Sequence, residues 1–376
     1  MSILVARPSH RKPRNSKDFH PLPGTPCNID ATRSWPNVPG VFDWQSTLGS
    51  PKPSKIGLCA YHRAQFEYSS GEYQFKATEV PMFDGFETRR ISTAETEIHL
   101  RLAGEGPPVL LLHGYPQTHA CWHAVAPQLT GAFTVVVPDL RGYGDSGCPA
   151  SDPEHKAYSK RAMANDMVEV MAALGFETFA VVGHDRGARV AYRLTLDHPE
   201  RATHLASLDV VTTLDMWEAT DKARAIGGFH WPFLAQPAPF PEKLIGGDPE
   251  YFAEWLMRKW AADGFQFNAA SMAEYKRCFA KPEVIRATCE DYRAGATIDM
   301  ELDLADRQAG RRITCPMLFL WGGLRGFGGV DRADPVDIWR AWADDVSGGP
   351  LPTGHFLPEE APDDLVARLK PFLSAD

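Results

Sequence analysis

The stretch from residue 179 to residue 189 constrains the fold most, because it joins an apolar run to a glycine-flanked turn. It reads Phe-Ala-Val-Val-Gly-His-Asp-Arg-Gly-Ala-Arg and fits the pattern Gly-x-nucleophile-x-Gly, in which bulkier neighbours would collide in the strained turn. The nucleophile position holds Asp185, not serine. A carboxylate attacks a saturated carbon by displacement and leaves an ester that water must open. We therefore predict a strand, a tight turn and a helix start that present a carboxylate nucleophile.

The chain after about residue 90 alternates short β-branched runs with amphipathic helical stretches. This pattern is typical of an α/β fold with a mostly parallel sheet and helices on both faces. The predicted strands cover residues 97–102, 109–112, 133–137, 179–182, 205–208 and 317–321. Between the last two lies a long stretch rich in Trp, Phe and helical spacing. We predict one domain over residues 81–376, with a helical cap inserted at about 212–302.

The first 80 residues differ from the rest, because prolines recur throughout them. We expect a poorly ordered extension without strands. Met82 directly precedes the first strand-like stretch, and we hypothesise that it is an alternative start of the protein.

Charge and cysteine usage exclude several classes of protein. The net charge is −9 and lysines and arginines are scattered, so we expect no nucleic-acid partner. The seven cysteines contain no CxxC pair and no metal-ligand spacing, which predicts free thiols in a reducing compartment and no metal site. No apolar run approaches the roughly 20 residues that a membrane span needs. We expect a soluble, cytoplasmic protein with no membrane partner.

A second motif lies upstream of the elbow. Residues 109–116 read Val-Leu-Leu-Leu-His-Gly-Tyr-Pro, a buried strand that ends in a His-Gly-x-Pro turn. Folds with such an elbow place a loop there whose backbone N–H joins that of the residue after the nucleophile. The N–H groups of Tyr115 and Arg186 are therefore predicted to form an oxyanion hole for the hydrolysis step.

The base that activates water is predicted near the C-terminus. His355 lies in Pro-Thr-Gly-His-Phe-Leu-Pro. It follows the nucleophile and the acid, which is the chain order that folds with such an elbow require. Its ordinary pKa of about 6.5 suits a general base. The acid that orients it is Asp209, Asp331 or Asp334, which all follow predicted strands; spacing alone does not choose among them.

Two arginines indicate the charge of the substrate. Arg186 and Arg189 are three residues apart at a helix start, so their side chains share one face beside the positive end of the helix dipole. Two guanidinium groups there hold a carboxylate and keep Asp185 ionised. We therefore predict a small anionic substrate.

The predicted cap supplies donors without a necessary acceptor role, namely His230, Trp231 and Tyr292. Such donors would stabilise a departing halide, although spacing alone does not identify a halide site. Trp255 and Trp260 are otherwise typical of a helical core.

These motifs resemble those of the fluoroacetate dehalogenases of the α/β-hydrolase superfamily. The similarity runs from about Phe83 to Ser374 and covers long segments in the same order. The segments are HGYPQTH (113–119), GHDRGAR (183–189), HWPFLAQP (230–237), CEDYRAGA (289–296) and GHFLPEEAP (354–362).

The resemblance implies a role for each matching residue. It makes Asp185 the nucleophile, Asp209 the acid and His355 the base, and it makes Arg186 and Arg189 the carboxylate clamp. The halide pocket is formed by His230, Trp231 and Tyr292, and the pocket wall by Trp260 and His113. It also implies a homodimer without a cofactor. Two features depart from the family: the proline-rich start, and Phe229 where the pattern has tyrosine.

The resulting hypothesis is hydrolytic dehalogenation of a 2-haloacetate, with fluoroacetate giving glycolate and fluoride. Two alternatives remain. An epoxide hydrolase shares the nucleophile, the turn and the cap, but enzymes that act on neutral epoxides resemble Gly-His-Asp-Trp-Gly where this chain has Arg186. A hydrolase-fold binding protein without catalysis is the second alternative, and the intact set of nucleophile, acid and base argues against it.

Overall fold

The structure, a computed structural model, describes residues 65–69, 72–76, 82–324 and 335–375. Its strands are β1 (Gln65–Ser69), β2 (Glu72–Lys76), β3 (Glu87–Ser92), β4 (Glu97–Ala103), β5 (Pro108–Leu112), β6 (Thr134–Pro138), β7 (Phe179–His184), β8 (Ala202–Leu208), β9 (Met317–Gly322) and β10 (Val346–Leu351). Its α-helices are α1 (Ala126–Leu129), α2 (Lys160–Ala173), α3 (Arg186–Asp197), α4 (Thr213–Glu218), α5 (Lys222–Gly227), α6 (His230–Leu234), α7 (Phe240–Ile245), α8 (Pro249–Trp260), α9 (Ala269–Phe279), α10 (Pro282–Gly295), α11 (Ile298–Ala309), α12 (Pro335–Arg340), α13 (Leu357–Glu360) and α14 (Pro362–Leu373). Short 3-10 helices lie at His119–Trp122 and Lys156–Tyr158.

Eight strands form one sheet in the order β10-β9-β8-β7-β5-β6-β4-β3. The strands from β10 to β6 are parallel, whereas β4 and β3 pair antiparallel at one end. The chain continues from β5 to β6 on one side and then returns to place β7 on the other side of β5. Open parallel sheets bind ligands in the crevice outside the carboxyl ends of their strands where the order reverses in this way.

The central strands are apolar on both faces, as a parallel sheet covered by helices requires. On β5, Leu110 and Leu112 pack into one core cluster, and Val109 and Leu111 pack into the cluster on the opposite face. Side chains of α2 and α3 complete the first cluster, and those of α1 and α14 complete the second. The predicted mostly parallel sheet with helices on both faces is present, and the six predicted strands correspond to β4 to β9.

Two strands of this sheet were not predicted. β3 is a largely charged and exposed edge strand, so it lacks apolar alternation. β10 contains two glycines and a proline, which are depleted in strands. Gly348 has a φ of +153°, and a Cβ there would lie 1.9 Å from the carbonyl oxygen of Phe319 on β9. The close approach of β9 therefore requires glycine in β10, whatever its strand propensity.

β1 and β2 form a separate two-stranded antiparallel sheet. Their sequences, Gln-Phe-Glu-Tyr-Ser and Glu-Tyr-Gln-Phe-Lys, alternate polar and aromatic residues with the period of a strand. The prediction that no strand forms before residue 80 was therefore wrong for these two segments. The other residues of that extension lie outside the described residues, so their poor order stays a prediction.

The chain between β8 and β9 is helical and contains α4 to α11. This region includes the stretch that we predicted to be a cap, and the exact limits 212 and 302 stay a prediction. No helix in the described part of the chain is long and apolar enough to cross a membrane.

Candidate active site

The turn between β7 and α3 holds Asp185 at φ +48° and ψ −115°, a conformation that non-glycine residues rarely adopt. A Cβ on Gly183 would lie 2.5 Å from the backbone of Ala188, and one on Gly187 would lie 2.4 Å from the carbonyl oxygen of His113. Both flanking positions therefore require glycine, as the elbow pattern predicts. The turn presents Asp185 at the carboxyl end of β7, beside the end of β5.

The side chain of Asp185 faces the turn that follows β5. The N–H of Tyr115, one of the two groups predicted for the oxyanion hole, donates to its Oδ1 at 2.9 Å. Burial raises the pKa of Asp185, but His355, Arg186 and this N–H outweigh burial and lower the pKa below its ordinary value. The nucleophile is therefore ionised at neutral pH. The oxyanion role of the Arg186 N–H, at the start of α3, stays a prediction.

Asp209 directly follows β8 and His355 lies in the loop after β10, on either side of β9, and the two side chains contact each other. Nδ1 of His355 is 2.6 Å from Oδ2 of Asp209, and its Nε2 is 3.8 Å from Oδ2 of Asp185. The structure therefore brings Asp209 against the predicted base. The other candidate acids, Asp331 and Asp334, lie outside the described residues.

Further hydrogen bonds hold Asp209 and His355 in place. The N–H of Gly322 donates to Oδ1 of Asp209 at 2.8 Å, and Nε2 of His184 is 2.8 Å from the carbonyl oxygen of His355. Burial lowers the pKa of His355, but the hydrogen bond and charge of Asp209, together with Asp185, raise it above its ordinary value. Burial lowers the pKa of His184 to about 3, so that ring stays neutral.

Glu360 braces the loop that carries His355, a role that the sequence did not reveal. Its carboxylate accepts from the N–H of Gly354 at 2.6 Å, of Phe356 at 2.8 Å and of Ala262 at 2.9 Å. It therefore fixes the backbone on both sides of His355 and ties the loop to the end of α8. Because all its partners are backbone groups, no side-chain pattern indicates them.

The neighbouring Glu359 joins two other segments. Its carboxyl group accepts from the side chain of Gln117, in the turn after β5, and from Oγ of Ser271 on α9 at 3.0 Å. Burial raises the pKa of Glu359 to about 8. It therefore links the oxyanion turn to the helical region.

Arg186 is fully buried and already has a carboxylate partner, which was not predicted. Its Nε donates to Oδ2 of Asp291 at 2.9 Å and its Nη2 to Oδ1 at 2.5 Å. Lys160 and the hydroxyl group of Tyr143 also donate to Asp291. Burial lowers the pKa of Arg186, but the charge of Asp291 outweighs burial and raises it well above its ordinary value. The charge of Arg186 is therefore compensated inside the protein.

Arg189 is also buried, but its surroundings differ. Its Nη1 donates to the carbonyl oxygen of Val211 at 2.8 Å, and within the described residues it forms no ion pair. Burial lowers its pKa below the ordinary value, and its guanidinium carbon lies 4.5 Å from the ring centroid of Trp231. Nε of Arg189 and Nη1 of Arg186 are buried without a hydrogen-bond partner among the described residues. Both predicted clamp residues thus keep an unused donor. Only Arg189 has no ion-pair partner among the described residues, and the charge of Asp185 acts on it without direct contact.

Five rings, which we call the aromatic cage, lie next to one another on the turn after β5 and on α6, α8 and α10. They are Tyr115, His230, Trp231, Trp260 and Tyr292. The ring of Tyr292 lies 5.3 Å from that of Tyr115 and 5.6 Å from that of Trp231, between centroids. The rings of His230 and Trp260 are 4.5 Å apart. The three predicted halide donors and one predicted wall residue therefore come together.

The cage contains buried polar atoms that the protein does not satisfy. The hydroxyl groups of Tyr115 and Tyr292 and Nδ1 of His230 have no hydrogen-bond partner in the described part of the chain. Such a group costs about 1–3 kcal/mol when nothing binds it, so several on neighbouring rings indicate a ligand site. The ring of Trp260 lies 5.7 Å from that of His355, so the cage adjoins the predicted base. The hydroxyl of Tyr115 was not predicted to take part.

The predicted wall residue His113 has contacts typical of a residue that holds the turn. Its Nδ1 is 3.0 Å from the carbonyl oxygen of Gly114, its Nε2 accepts from the N–H of Leu140, and its ring packs against Tyr143. Its place in the pocket wall stays a prediction. Phe229, the departure from the family pattern, lies beside the cage and adds no polar atom to it.

Two groups of side chains among the described residues have the chemistry of metal ligands. They are His99, His119 and Asp139, and Asp145, Glu274 and Cys278. In the first group, the carboxylate oxygens of Asp139 each lie 2.9 Å from Nδ1 of a histidine. In the second, Asp145 forms an ion pair with Arg277. Asp139 and Asp145 therefore already have partners, and neither group includes a predicted site residue.

Comparisons with known proteins identify the fold and the family. A family model for the α/β hydrolase fold matches residues 107–271. The chain is 44% identical to the fluoroacetate dehalogenase of Burkholderia sp. over 294 residues, which cover 78% of this chain and 95% of that enzyme. It is 33% identical to the soluble epoxide hydrolase of Corynebacterium sp. (strain C12) over 269 residues, or 70% of this chain and 89% of that enzyme.

A solved structure extends the comparison to three dimensions. A protein from Nostoc sp. PCC 7120, described as an α/β hydrolase, superposes with a TM-score of 0.76 and 54% identity, covering 78% of this chain and 100% of that protein. The predicted α/β-hydrolase fold and the resemblance inferred from the motifs are both confirmed. The chain therefore belongs to the α/β-hydrolase family of enzymes, in the group that includes the fluoroacetate dehalogenase of Burkholderia sp..

Proposed function

We propose that this enzyme removes halide from small 2-halocarboxylates and converts fluoroacetate to glycolate and fluoride. One observation carries the proposal: the helix that begins directly after the carboxylate nucleophile Asp185 bears two buried guanidinium groups, each with an unused donor. A nucleophile beside a carboxylate clamp suits a substrate whose leaving group is next to its own carboxylate. The Burkholderia relative named as a fluoroacetate dehalogenase supports the same substrate class.

Substrate binding depends on the arginines in different ways. Arg189 supplies the positive charge that attracts the carboxylate, because it forms no ion pair within the described residues and donates only to neutral oxygen atoms. Arg186, held by Asp291, offers a directed N–H from Nη1. The charge of Arg189 and the directed N–H of Arg186 together place C2 of the substrate in line with Asp185.

The first chemical step is displacement. Asp185 is ionised and attacks C2, and the carbon–halogen bond breaks as the ester forms. The halide leaves toward His230, Trp231 and Tyr292. Fluoride needs such donors most, because it is a poor leaving group whose charge must be stabilised as it develops.

The second step is hydrolysis of the ester at Asp185. His355, which Asp209 holds through Nδ1, removes a proton from water with Nε2. The water attacks the side-chain carbonyl of the ester, and the Tyr115 N–H, which already donates to Oδ1, stabilises the oxyanion with the N–H of Arg186. Glycolate leaves and the carboxylate is restored.

Two measurements test the proposal. Purified protein with fluoroacetate or chloroacetate should release halide, whereas Asp185→Asn should not. A single turnover in heavy-oxygen water should place the label in Asp185, because water attacks the ester at the enzyme carbon. Label found only in glycolate after one turnover would rule out the covalent ester.

The main alternative is hydrolysis of a neutral epoxide, which the similarity to the Corynebacterium epoxide hydrolase supports. The lack of an ion-pair partner for Arg189 among the described residues argues against it, since a neutral substrate leaves that charge buried and unpaired. A binding protein without catalysis is the other alternative. The contact of His355 with Asp209 beside an ionised Asp185 argues against that. Halide release separates dehalogenation from both alternatives.

We further propose a cytoplasmic homodimer, as the family resemblance implies. Free cysteines among the described residues support a reducing compartment. Large apolar side chains are exposed on α5, α7 and α8, which supports a covered surface there. They are Ile226, Phe240, Leu244, Tyr251 and Trp255. Sedimentation of the purified protein measures its oligomeric state.

A further inference from the structure

The aromatic cage contains two phenols, and the proposed halide release uses that of Tyr292 but gives no role to that of Tyr115 beside it. The rings of Tyr115 and Tyr292 lie 5.3 Å apart at an angle of 80°, and both are buried. Neither hydroxyl group has a partner among the described residues. Burial raises the pKa of both tyrosines well above the ordinary value, and the charge of Asp185 acts in the same direction. Both groups therefore stay protonated and available as donors.

Halide and oxygen leaving groups make different demands on such donors. A halide departs as an anion that needs hydrogen bonds but no proton, and the proposed halide donors His230 and Trp231 lie on α6. An alkoxide is a far stronger base than a phenolate, so it must receive a proton as its bond to carbon breaks. A protonated phenol is suited to that transfer. The pair therefore fits a leaving group that is an oxygen atom.

The arginines restrict which oxygen leaving group can enter. Arg189 keeps a charge without an ion-pair partner among the described residues, with its guanidinium carbon 4.5 Å from the ring centroid of Trp231. A neutral epoxide does not satisfy that charge, but an epoxide that bears a carboxylate satisfies both the clamp and the phenols. We propose that the enzyme also hydrolyses small 2,3-epoxy carboxylates, of which glycidate is the simplest, to 2,3-dihydroxy acids. This inference rests on the nucleophile and the carboxylate clamp of the proposed function.

The reaction balances without any further reactant. Asp185 attacks C2, the bond from C2 to the ring oxygen breaks, and its electron pair stays on that oxygen. Tyr292 gives its proton to the oxygen, with Tyr115 donating a hydrogen bond beside it. Water activated by His355 then opens the ester, and the proton taken from water replaces the one that Tyr292 gave. One water molecule is consumed, and the product is 2,3-dihydroxypropanoate.

Glycidate and its neutral amide, glycidamide, provide the first test. The wild-type enzyme should convert glycidate to 2,3-dihydroxypropanoate, and Asp185→Asn should not. Glycidamide has the same ring but no carboxylate, so its turnover should be at least about 100-fold lower in kcat/KM, as expected for loss of a charged contact. Absence of glycidate turnover in protein that releases halide from chloroacetate overturns the inference and leaves the proposed function intact. Glycidate turnover without halide release supports the inference and contradicts the proposed dehalogenation.

Tyrosine variants test the donors. Tyr292→Phe should lower kcat for glycidate by about 100-fold, the scale of a lost general acid, and Tyr115→Phe should lower it by roughly 10-fold, as for a lost hydrogen bond. Tyr158→Phe is the matched control, because that buried hydroxyl already donates to the carbonyl oxygen of Pro149; it should affect turnover of neither glycidate nor chloroacetate. Glycidate turnover that both tyrosine variants leave unchanged contradicts the role of the phenols.

A covalent adduct provides a readout that does not depend on turnover. In His355→Gln the ester should accumulate, because its hydrolysis lacks a base. Glycidate should then add its entire mass to Asp185, since nothing leaves when the ring opens, whereas chloroacetate should add its mass less that of hydrogen chloride. Protein that gains only the chloroacetate adduct contradicts the epoxide inference alone.

Discussion

The proposed catalytic triad and the aromatic cage are neighbours that differ in how far the protein satisfies their hydrogen bonds. In the triad of Asp185, Asp209 and His355, protein groups hold each side chain, including the backbone N–H groups of Tyr115 and Gly322. The cage leaves two hydroxyl groups and a ring nitrogen without partners in the described part of the chain. Protein groups therefore hold the proposed triad in place, whereas the polar atoms of the cage are free to bind a ligand.

This difference follows the architecture. The triad residues follow β7, β8 and β10, where the register of a parallel sheet fixes the backbone. All cage residues except the one on the turn after β5 belong to the helices between β8 and β9. Backbone fixed by the sheet suits residues whose relative positions the reaction requires. Residues on the inserted helices suit contacts that differ from one substrate to another.

The largest expected effect is that of Asp185→Asn, which should abolish turnover and leave substrate binding intact. Asp185→Asn should lower turnover of chloroacetate by at least roughly 10⁴-fold, because the ester cannot form. Chloroacetate should still bind, since the arginines and the cage are unchanged. Calorimetric titration measures that binding, and a dissociation constant within about 10-fold of the wild-type KM is expected. Loss of binding together with turnover would show that the two regions are not separable.

The next effect tests the triad through its pH dependence. His355 must be neutral to act as a base, and its pKa lies above the ordinary value of about 6.5. The rate of ester hydrolysis should therefore rise with pH through that higher value. Asp209→Asn removes the charge that raises the pKa, so the rise should move to lower pH while the maximal rate falls by about 10²–10⁴-fold. A pH profile that does not move would contradict the orienting role of Asp209.

The third prediction concerns the charge beneath the cage. Arg189→Met should raise KM for chloroacetate by about 100-fold and leave that for neutral chloroacetamide unchanged, because it removes a charge that has no ion-pair partner among the described residues. The control removes both members of a neutral pair, as Arg186→Met with Asp291→Asn, and should raise KM by only about 10-fold. Lys160 keeps Asp299 nearby in that variant. Equal effects would show that both arginines carry the substrate charge alike.

Local sequence patterns predicted the triad better than they predicted the surroundings of the cage. Asp185 and its glycines belong to a short contiguous pattern whose steric reason is local. Spacing alone did not choose Asp209, and the family resemblance did; the sheet order then brings the end of β8 to His355. Asp291 and Glu360 went unrecognised because their partners are 105 residues away or are backbone groups.

The strands show the same limit. β5 and β7 are buried on both faces and are therefore continuous apolar runs. β10 follows no such pattern, since its glycines serve the close approach of β9 and its single proline interrupts any strand signal. Where tertiary contacts override local propensity, sequence patterns do not predict the element.

The smallest effect sharpens the comparison within the cage by distinguishing fluorine from chlorine. Tyr292→Phe removes one open donor and leaves His230, Trp231 and the triad in place. Fluoride concentrates its charge on a small atom and leaves poorly, so kcat for fluoroacetate should fall by about 30-fold, whereas kcat for chloroacetate should fall by only about 3-fold. Parallel fluoride and chloride release assays measure the ratio. An equal fall for both halides would place the Tyr292 hydroxyl outside the halide site, and the departing anion would then rest on the nitrogen donors of α6.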